Sequence, residues 1–142
     1  MNGSKACVDA SFTLKLVVRE TGSDQVEKQW AEWAQQRAEI IAPELVWYEL
    51  TSTLAKRRRR GHLTEREGRD ALDALLSLDI TTVGGSDLHR RAYELAGELG
   101  HSVAYDATYA SVAEQAQCPL WTADGGIATA CRQIGLEAHL IS

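Results

Sequence analysis

Short apolar runs alternate with segments of helical period along the whole of this chain, and that alternation limits its fold more than any other feature. Lys5 to Asp9, Ile40 to Ala42, Ile80 to Val83, Pro119 to Thr122 and Ala138 to Ile141 read as strands, with Pro43 closing the second. Helices are predicted between them. The spacing gives Ser11 to Val18 with Ser11 as its N-cap, then Ser23 to Arg37 with Val26, Trp30, Trp33 and Ala34 on one face. Glu44 to Arg60 turns Val46, Leu50 and Leu54 inward and ends at Gly61. Thr64-x-x-Glu67 is a capping box, and Gly68, Ala71, Leu72, Leu75 and Leu76 are the inner stripe of the helix it opens. A helix from about Ser86 buries Leu88, Ala92, Leu95, Ala96 and Leu99 before Gly100, and Tyr105 to Gln115 and Ile127 to Ile134 complete the set.

Strands separated by helices need crossover connections, so the sheet is expected to be mostly parallel and covered on both faces. The strands are continuous apolar runs rather than alternating ones, as burial on two sides requires. The expected fold is therefore α/β: three layers, with a five-stranded sheet between helices, formed by residues 1–142 as one domain. The composition is that of an ordinary globular protein, with 44% hydrophobic and 25% charged residues, which excludes disordered, collagenous and coiled-coil classes. No apolar run approaches the ~18 residues that would span a membrane. Met1 to Lys5 has no apolar stretch behind it, so no signal peptide is expected. Cys7, Cys118 and Cys131 are an odd set without a C-x-x-C pair. They read as small buried hydrophobes in a protein of the reducing cytoplasm.

In open parallel sheets, ligands bind beyond the carboxyl ends of the strands. Asp9 ends the first strand, and Asp124 follows the fourth by two residues. Glu49 lies mid-helix, about 60° from Val46 and about 100° from Leu50, at the margin of the buried face. Asp106 opens a helix and shares a face with the small residues Ala110 and Ala113. Each acid also has a plain structural explanation. Asp9, Asp106 and Asp124 are well placed to cap turns or helices. Glu49 could pair with Arg57, although Arg57 lies two turns away. Four carboxylates in one cleft would raise one another's pKa and call for a cation. Hard oxygen donors with room for water suit Mg²⁺ or Mn²⁺, and two such ions can clamp the attacking and leaving oxygens of a phosphodiester. The four histidines form no ligand-spaced set.

Val8-Asp9-Ala10-Ser11, Pro43-Glu44-Leu45 leading to Glu49, Tyr105-Asp106-Ala107-Thr108-Tyr109 and Leu120-Trp121-Thr122-Ala123-Asp124 together resemble the PIN-domain ribonucleases, in order and over the whole chain. Among these, the VapC-type toxins of toxin–antitoxin pairs are the group it is most similar to. The resemblance implies a metal-dependent endoribonuclease with Asp9, Glu49, Asp106 and Asp124 as catalytic and metal-binding carboxylates. It also implies that Ser11 and Thr122 support them by hydrogen bonding. The implied partners are RNA, a small antitoxin that covers the site, and a second copy of the chain. Where such proteins usually carry a Lys or Arg and a bulky residue after the fourth acid, this chain has Gly125-Gly126-Ile127.

The formal net charge of −5 argues, as a sum, against a nucleic-acid binder. Its distribution argues otherwise, because Lys56 to Arg60 gathers five of the fifteen basic residues. These cations suit the negative end of a helix dipole, and Arg57, Arg58 and Arg60 are equally candidates for contact with an RNA backbone. Arg90-Arg91 reads as a solvated helix face, the four tryptophans as core, and Trp47 as the one that could reach a partner surface. Two competing readings remain. A receiver-type phospho-acceptor module needs paired acids after the first strand, an Asp after the third and a Lys after the fifth. Here Asp9 has no acidic neighbour, Val83-Gly84-Gly85 supplies no acceptor, and no Lys follows Lys56. The second alternative is a PIN-like RNA- or antitoxin-binding protein without catalysis, against which the complete quartet stands.

Overall fold

The structure, a computed structural model, describes residues 4–142; the signal-peptide reading of Met1 to Lys5 falls partly on Met1 to Gly3, which lie outside the described residues. Five strands and seven helices follow in the order β1 (Lys5–Val8), α1 (Ala10–Leu14), α2 (Ser23–Gln36), β2 (Glu39–Pro43), α3 (Leu45–Arg59), α4 (Glu65–Leu76), β3 (Thr81–Val83), α5 (Ser86–Leu99), α6 (Tyr105–Ala116), β4 (Leu120–Thr122), α7 (Gly125–Gln133) and β5 (Ala138–Leu140). The sheet order is β3-β2-β1-β4-β5, and every pair is parallel. The chain moves from β1 outward to β3, then crosses back to β4 and β5. With right-handed crossovers, this reversal puts α1 to α4 on one face and α5 to α7 on the other. The packing agrees: α1 and α4 lie against α3, and α5 and α7 lie against α6. The expected three-layer α/β/α architecture is the one observed. β1 and β4 sit side by side at the point where the strand order reverses, so the crevice expected of such a sheet opens beyond their carboxyl ends.

Burial on both faces explains the strand composition. Cys7 and Val8 of β1, Ile41 and Ala42 of β2 and Leu120 of β4 belong to one core cluster, together with Val46, Leu50 and Leu54 of α3. Helix α2 is anchored by aromatic contacts: Trp33 lies 5.6 Å from Phe12 and 5.2 Å from Trp121, ring centre to ring centre. The capping box at Thr64 and Glu67 forms as the sequence requires.

Several local expectations are corrected. The cap of α1 is Asp9, whose carboxylate accepts the Phe12 N–H, so the helix starts one residue before Ser11. Similarly, Asp124 caps α7 and brings its start forward to Gly125. Asp106 caps nothing; it lies inside the first turn of α6, behind an Ala104 cap. Ala34 and Leu76 face solvent, because the helical stripes they extend are wider than the neighbour that covers them, which for α4 is α3. Trp47 packs against the core, and the exposed aromatic on that helix is its neighbour Tyr48, 70% accessible. Arg91 is no plain surface residue: it clamps Glu114 of α6 at 2.7 and 3.0 Å, which ties α5 to α6. Among the described residues, no helix is long and apolar enough to cross a membrane.

The turn before α2 packs against the side chain of Lys15, a residue that lines the crevice. Gly22 precedes α2 with φ +91°, and a Cβ there would come within 2.8 Å of Ile141 and 3.4 Å of the Lys15 side chain. Gly22→Ala therefore combines a left-handed backbone with overpacking and is expected to cost about 2 kcal/mol or more, read as a lower melting temperature by thermal circular dichroism.

Candidate active site

At the carboxyl end of β1, Asp9 is 1% accessible yet carries a carboxylate. Burying that charge is tolerable only because donors surround it. Oδ1 accepts the Phe12 N–H at 2.9 Å and the Ser11 hydroxyl at 2.8 Å, and Oδ2 accepts the Thr122 hydroxyl at 2.5 Å. Both hydroxyls are in turn tied to the turn after β4. The Ala123 N–H donates to Ser11 Oγ at 2.9 Å, and the Asp124 N–H donates to Thr122 Oγ1 at 2.9 Å. One hydroxyl thus links the first and fourth acids, and Ser11 and Thr122 stand where supporting roles were expected. Asp124 spends Oδ1 on the N–H groups of Gly126 and Ile127 at 2.8 and 3.2 Å. Asp9 and Asp124 thus each cap a helix and also line the crevice, so the two placements do not compete.

The other two acids come from opposite helical layers. Glu49 belongs to α3, Asp106 to the first turn of α6, and both are partly buried. Glu49 does not pair with Arg57. Its Oε1 accepts the hydroxyl of Tyr109, a buried residue of α6, at 2.5 Å, which joins the two layers at the sheet edge. All four acids line one cavity of about 370 Å³, together with Ser11, Lys15, Glu20, Arg57 and Ile127. Their ionisation reports the crowding. Burial, opposed by its hydrogen bonds, pushes Asp9 up to about 6, with Asp124 adding to the rise. Burial also raises Glu49, beyond what the Tyr109 bond restores, and Asp106 and Asp124 raise it further. Asp106 is raised by burial and then by Asp124.

The basic stripe divides. Arg57 lines the cavity, but Arg58 turns to Glu65 at 3.4 Å and lines a separate groove between α3 and α4. Arg60 is exposed at the end of α3 and is not among the residues that line the cavity. Gly126 is where a bulkier residue would crowd the site, since a Cβ there would lie 3.1 Å from Asp124 Oδ1. Sequence reasoning missed Tyr109, Lys15 and Glu20. Tyr109 had a signal, being three residues from Asp106 and the one large residue within a run of small ones, whereas Glu20 lies in a loop whose path no periodicity reveals.

As a donor set, four carboxylates in one cavity fit a hard divalent cation that keeps several waters. Among the described residues, no three His, Cys, Asp or Glu side chains close on one point as they stand. Waters would therefore complete the coordination of any ion held there.

A parallel sheet with acids at its switch point defines a class, and comparison with known proteins identifies it. The PIN domain family matches residues 6–133. Ribonuclease VapC3 of Pyrobaculum aerophilum is 32% identical over 126 residues, covering 87% of this chain and 92% of that protein. Ribonuclease VapC9 of Mycobacterium tuberculosis is 35% identical over 85 residues, which are 60% of this chain and only 65% of that relative's length. The crystal structure of VapBC2 from Rickettsia felis, bound to a DNA fragment from their promoter, matches with a TM-score of 0.73 over 97% of this chain and 99% of that one. At 18% identity this is a likeness of fold. The chain belongs to the PIN domain family, and the relatives it matches there are VapC ribonucleases.

Asp9 gives a pH prediction for the metal-free protein. The unfolded carboxyl loses its proton near pH 4, whereas the folded one keeps it to about 6. Its contribution to stability is complete below pH 4 and is lost as the pH rises through 6, a change of at most about 3 kcal/mol. Glu20 and Glu114 are lowered and act in the opposite sense, so the difference between proteins isolates Asp9. In EDTA, the melting temperature of Asp9→Asn relative to the parent is expected to climb between pH 4 and 6. A flat difference would remove burial as the dominant influence on this carboxyl.

Proposed function

We propose that this chain is a divalent-metal-dependent endoribonuclease and the toxin of a toxin–antitoxin pair. The observation that carries the reading is the meeting of Asp9, Glu49, Asp106 and Asp124 in one cavity at the carboxyl edge of the sheet. The similarity to VapC ribonucleases supports RNA as the substrate. Asp9, Asp106 and Asp124, with Glu49 beside them, would hold Mg²⁺ or Mn²⁺. Such an ion, when bound, neutralises charge on the phosphodiester and makes water acidic enough to attack near neutral pH.

The chain's own residues set the stage for that chemistry. Ser11 and Thr122 hold the Asp9 carboxylate at one angle and favour its ionised form, the form that binds a cation. Tyr109 occupies one oxygen of Glu49 and leaves the other for the cavity. The buried floor beneath Asp9 keeps bulk water behind the acids excluded, which strengthens their hold on a cation. Of the basic residues first considered for RNA contact, Arg57 is the one that lines the cavity, and we assign backbone contact there to it rather than to Arg58 or Arg60. A cognate antitoxin covering this cavity, a homodimer and a cytoplasmic setting belong to the same proposal. One observation favours the non-catalytic alternative: no three candidate ligands close on a single point among the described residues.

Cleavage assays decide between them. Asp9→Asn and Asp124→Asn are each expected to lower RNA cleavage by more than about 100-fold, since loss of a direct ligand should exceed the 10–100-fold cost of losing an outer partner. Thr122→Val, which removes such a partner, should raise the Mn²⁺ concentration needed for half-maximal activity about 10–100-fold. Cleavage that survives excess EDTA would end the metal-dependent reading. Expression of the chain should arrest growth, and co-expression of the product of a neighbouring short gene should relieve the arrest.

A further inference from the structure

The cavity that gathers the acids also has a cationic stretch of wall, built by the end of α1, the loop after it and α3. Lys15 follows the last turn of α1, and its side chain is only 11% accessible. Its ammonium donates to Glu20 Oε2 at 3.0 Å and to the Thr21 carbonyl at 2.6 Å. The other oxygen of Glu20 accepts from Arg57 at 2.9 Å. One carboxylate thus holds two cations side by side, and the trio keeps a net charge of +1. The grip is favourable on balance: Lys15 and Arg57 lower the Glu20 pKa by more than burial raises it.

Three features separate this trio from an ordinary surface ion pair. All three side chains line the same cavity as the four acids. They are much less accessible than the neighbouring Arg58–Glu65 pair, at 11, 24 and 29% against 52 and 60%. Their donors are also not exhausted. An ammonium has three and a guanidinium five, whereas Lys15 spends two and Arg57 one on protein groups among the described residues. Helix α3 sets the distance. Glu49, Thr53 and Arg57 recur every four residues on the face that lines the cavity, which places Arg57 about 12 Å along the helix from Glu49. Among the described residues Arg57 pairs with Glu20 and with none of the four acids, which suits it to the next part of an extended polyanion rather than to the group undergoing reaction.

We propose that Lys15 and Arg57, held together by Glu20, form a subsite for a phosphate flanking the scissile one in a single-stranded RNA. The inference rests on the ribonuclease reading for the identity of the polyanion. Glu20 is a positioning residue, since it fixes the two cations and contributes no donor. The arrangement answers a charge problem. Five acids line the cavity against two cations, and without a cationic segment the strand would be repelled from the site that must cleave it.

The test measures binding apart from cleavage. The full chain is titrated into a fluorescein-labelled single-stranded RNA decamer in EDTA, with fluorescence anisotropy read at several salt concentrations. Lys15→Met and Arg57→Met are each expected to weaken binding about tenfold and to lower the slope of log K against log salt by about 0.7. Arg57→Lys should recover the salt slope but not all of the affinity, because the charge returns without the guanidinium fork. Arg66→Met, which removes an exposed charge paired with Asp70 on α4, should bind as the parent does. In steady-state cleavage, the two Met variants should raise KM and keep kcat. Thermal melts of each variant, with Arg57→Lys as the milder change, separate loss of the subsite from loss of the fold. Parent-like affinity and salt slope in folded Lys15→Met and Arg57→Met would overturn the subsite, while cleavage by the parent leaves the ribonuclease reading intact. An RNA-binding parent that cleaves nothing with Mg²⁺ or Mn²⁺ would do the reverse. A parent that neither binds nor cleaves would end both.

Discussion

A buried carboxylate governs the rest of this structure. Asp9 could not sit at the end of β1 without three donors aimed at it, and those donors come from two places in the sequence. Ser11 and Phe12 are local, whereas Thr122 arrives from β4, which forms more than a hundred residues later. The same hydroxyl that satisfies Asp9 accepts the Asp124 N–H, so the first and fourth acids are set by one small network. β1 must pair with β4 in its observed register for that network to close. The site is therefore a consequence of strand order and not only of side-chain identity.

Charge is arranged in the cavity with similar economy. Acids reach it from the end of β1, from the β4–α7 turn and from a helix in each layer, and burial first, with their mutual repulsion second, raises the pKa values of Asp9, Glu49 and Asp106. The Glu49–Tyr109 hydrogen bond crosses between layers and holds one of these acids by a single oxygen. Cations are present but kept apart from the quartet. Glu20 takes up both Lys15 and Arg57, so neither neutralises the carboxylates from within. A cavity of this kind keeps its demand for a cation while offering positive charge to an approaching polyanion a short distance away.

Much of the fold was legible because burial leaves periodic traces. Double-sided burial wrote continuous apolar runs into the strands, and one-sided burial wrote Val46, Leu50 and Leu54 into α3. The capping box at Thr64 was readable because both of its partners lie within four residues. The errors share a cause as well. Ala34 and Leu76 continue a helical stripe past the edge of what covers it, and Tyr48 rather than Trp47 faces outward, because periodicity gives a direction but not the extent of the neighbouring layer. Arg91 looked like a surface residue because its partner Glu114 lies on the next helix.

The amino-acid order alone determined the alternation of elements, the parallel sheet and the placement of Asp9 and Asp124 at strand ends, since each follows from local spacing and from the geometry of crossovers. It also put Glu49 and Asp106 on helices near the same edge, without saying that they meet. Only the folded chain decided that Tyr109 takes Glu49, that Glu20 gathers Lys15 and Arg57, and that Arg58 and Arg60 stand outside the cavity. Those pairings join residues between five and sixty positions apart through side-chain reach, a quantity fixed by packing and invisible to any pattern along the chain.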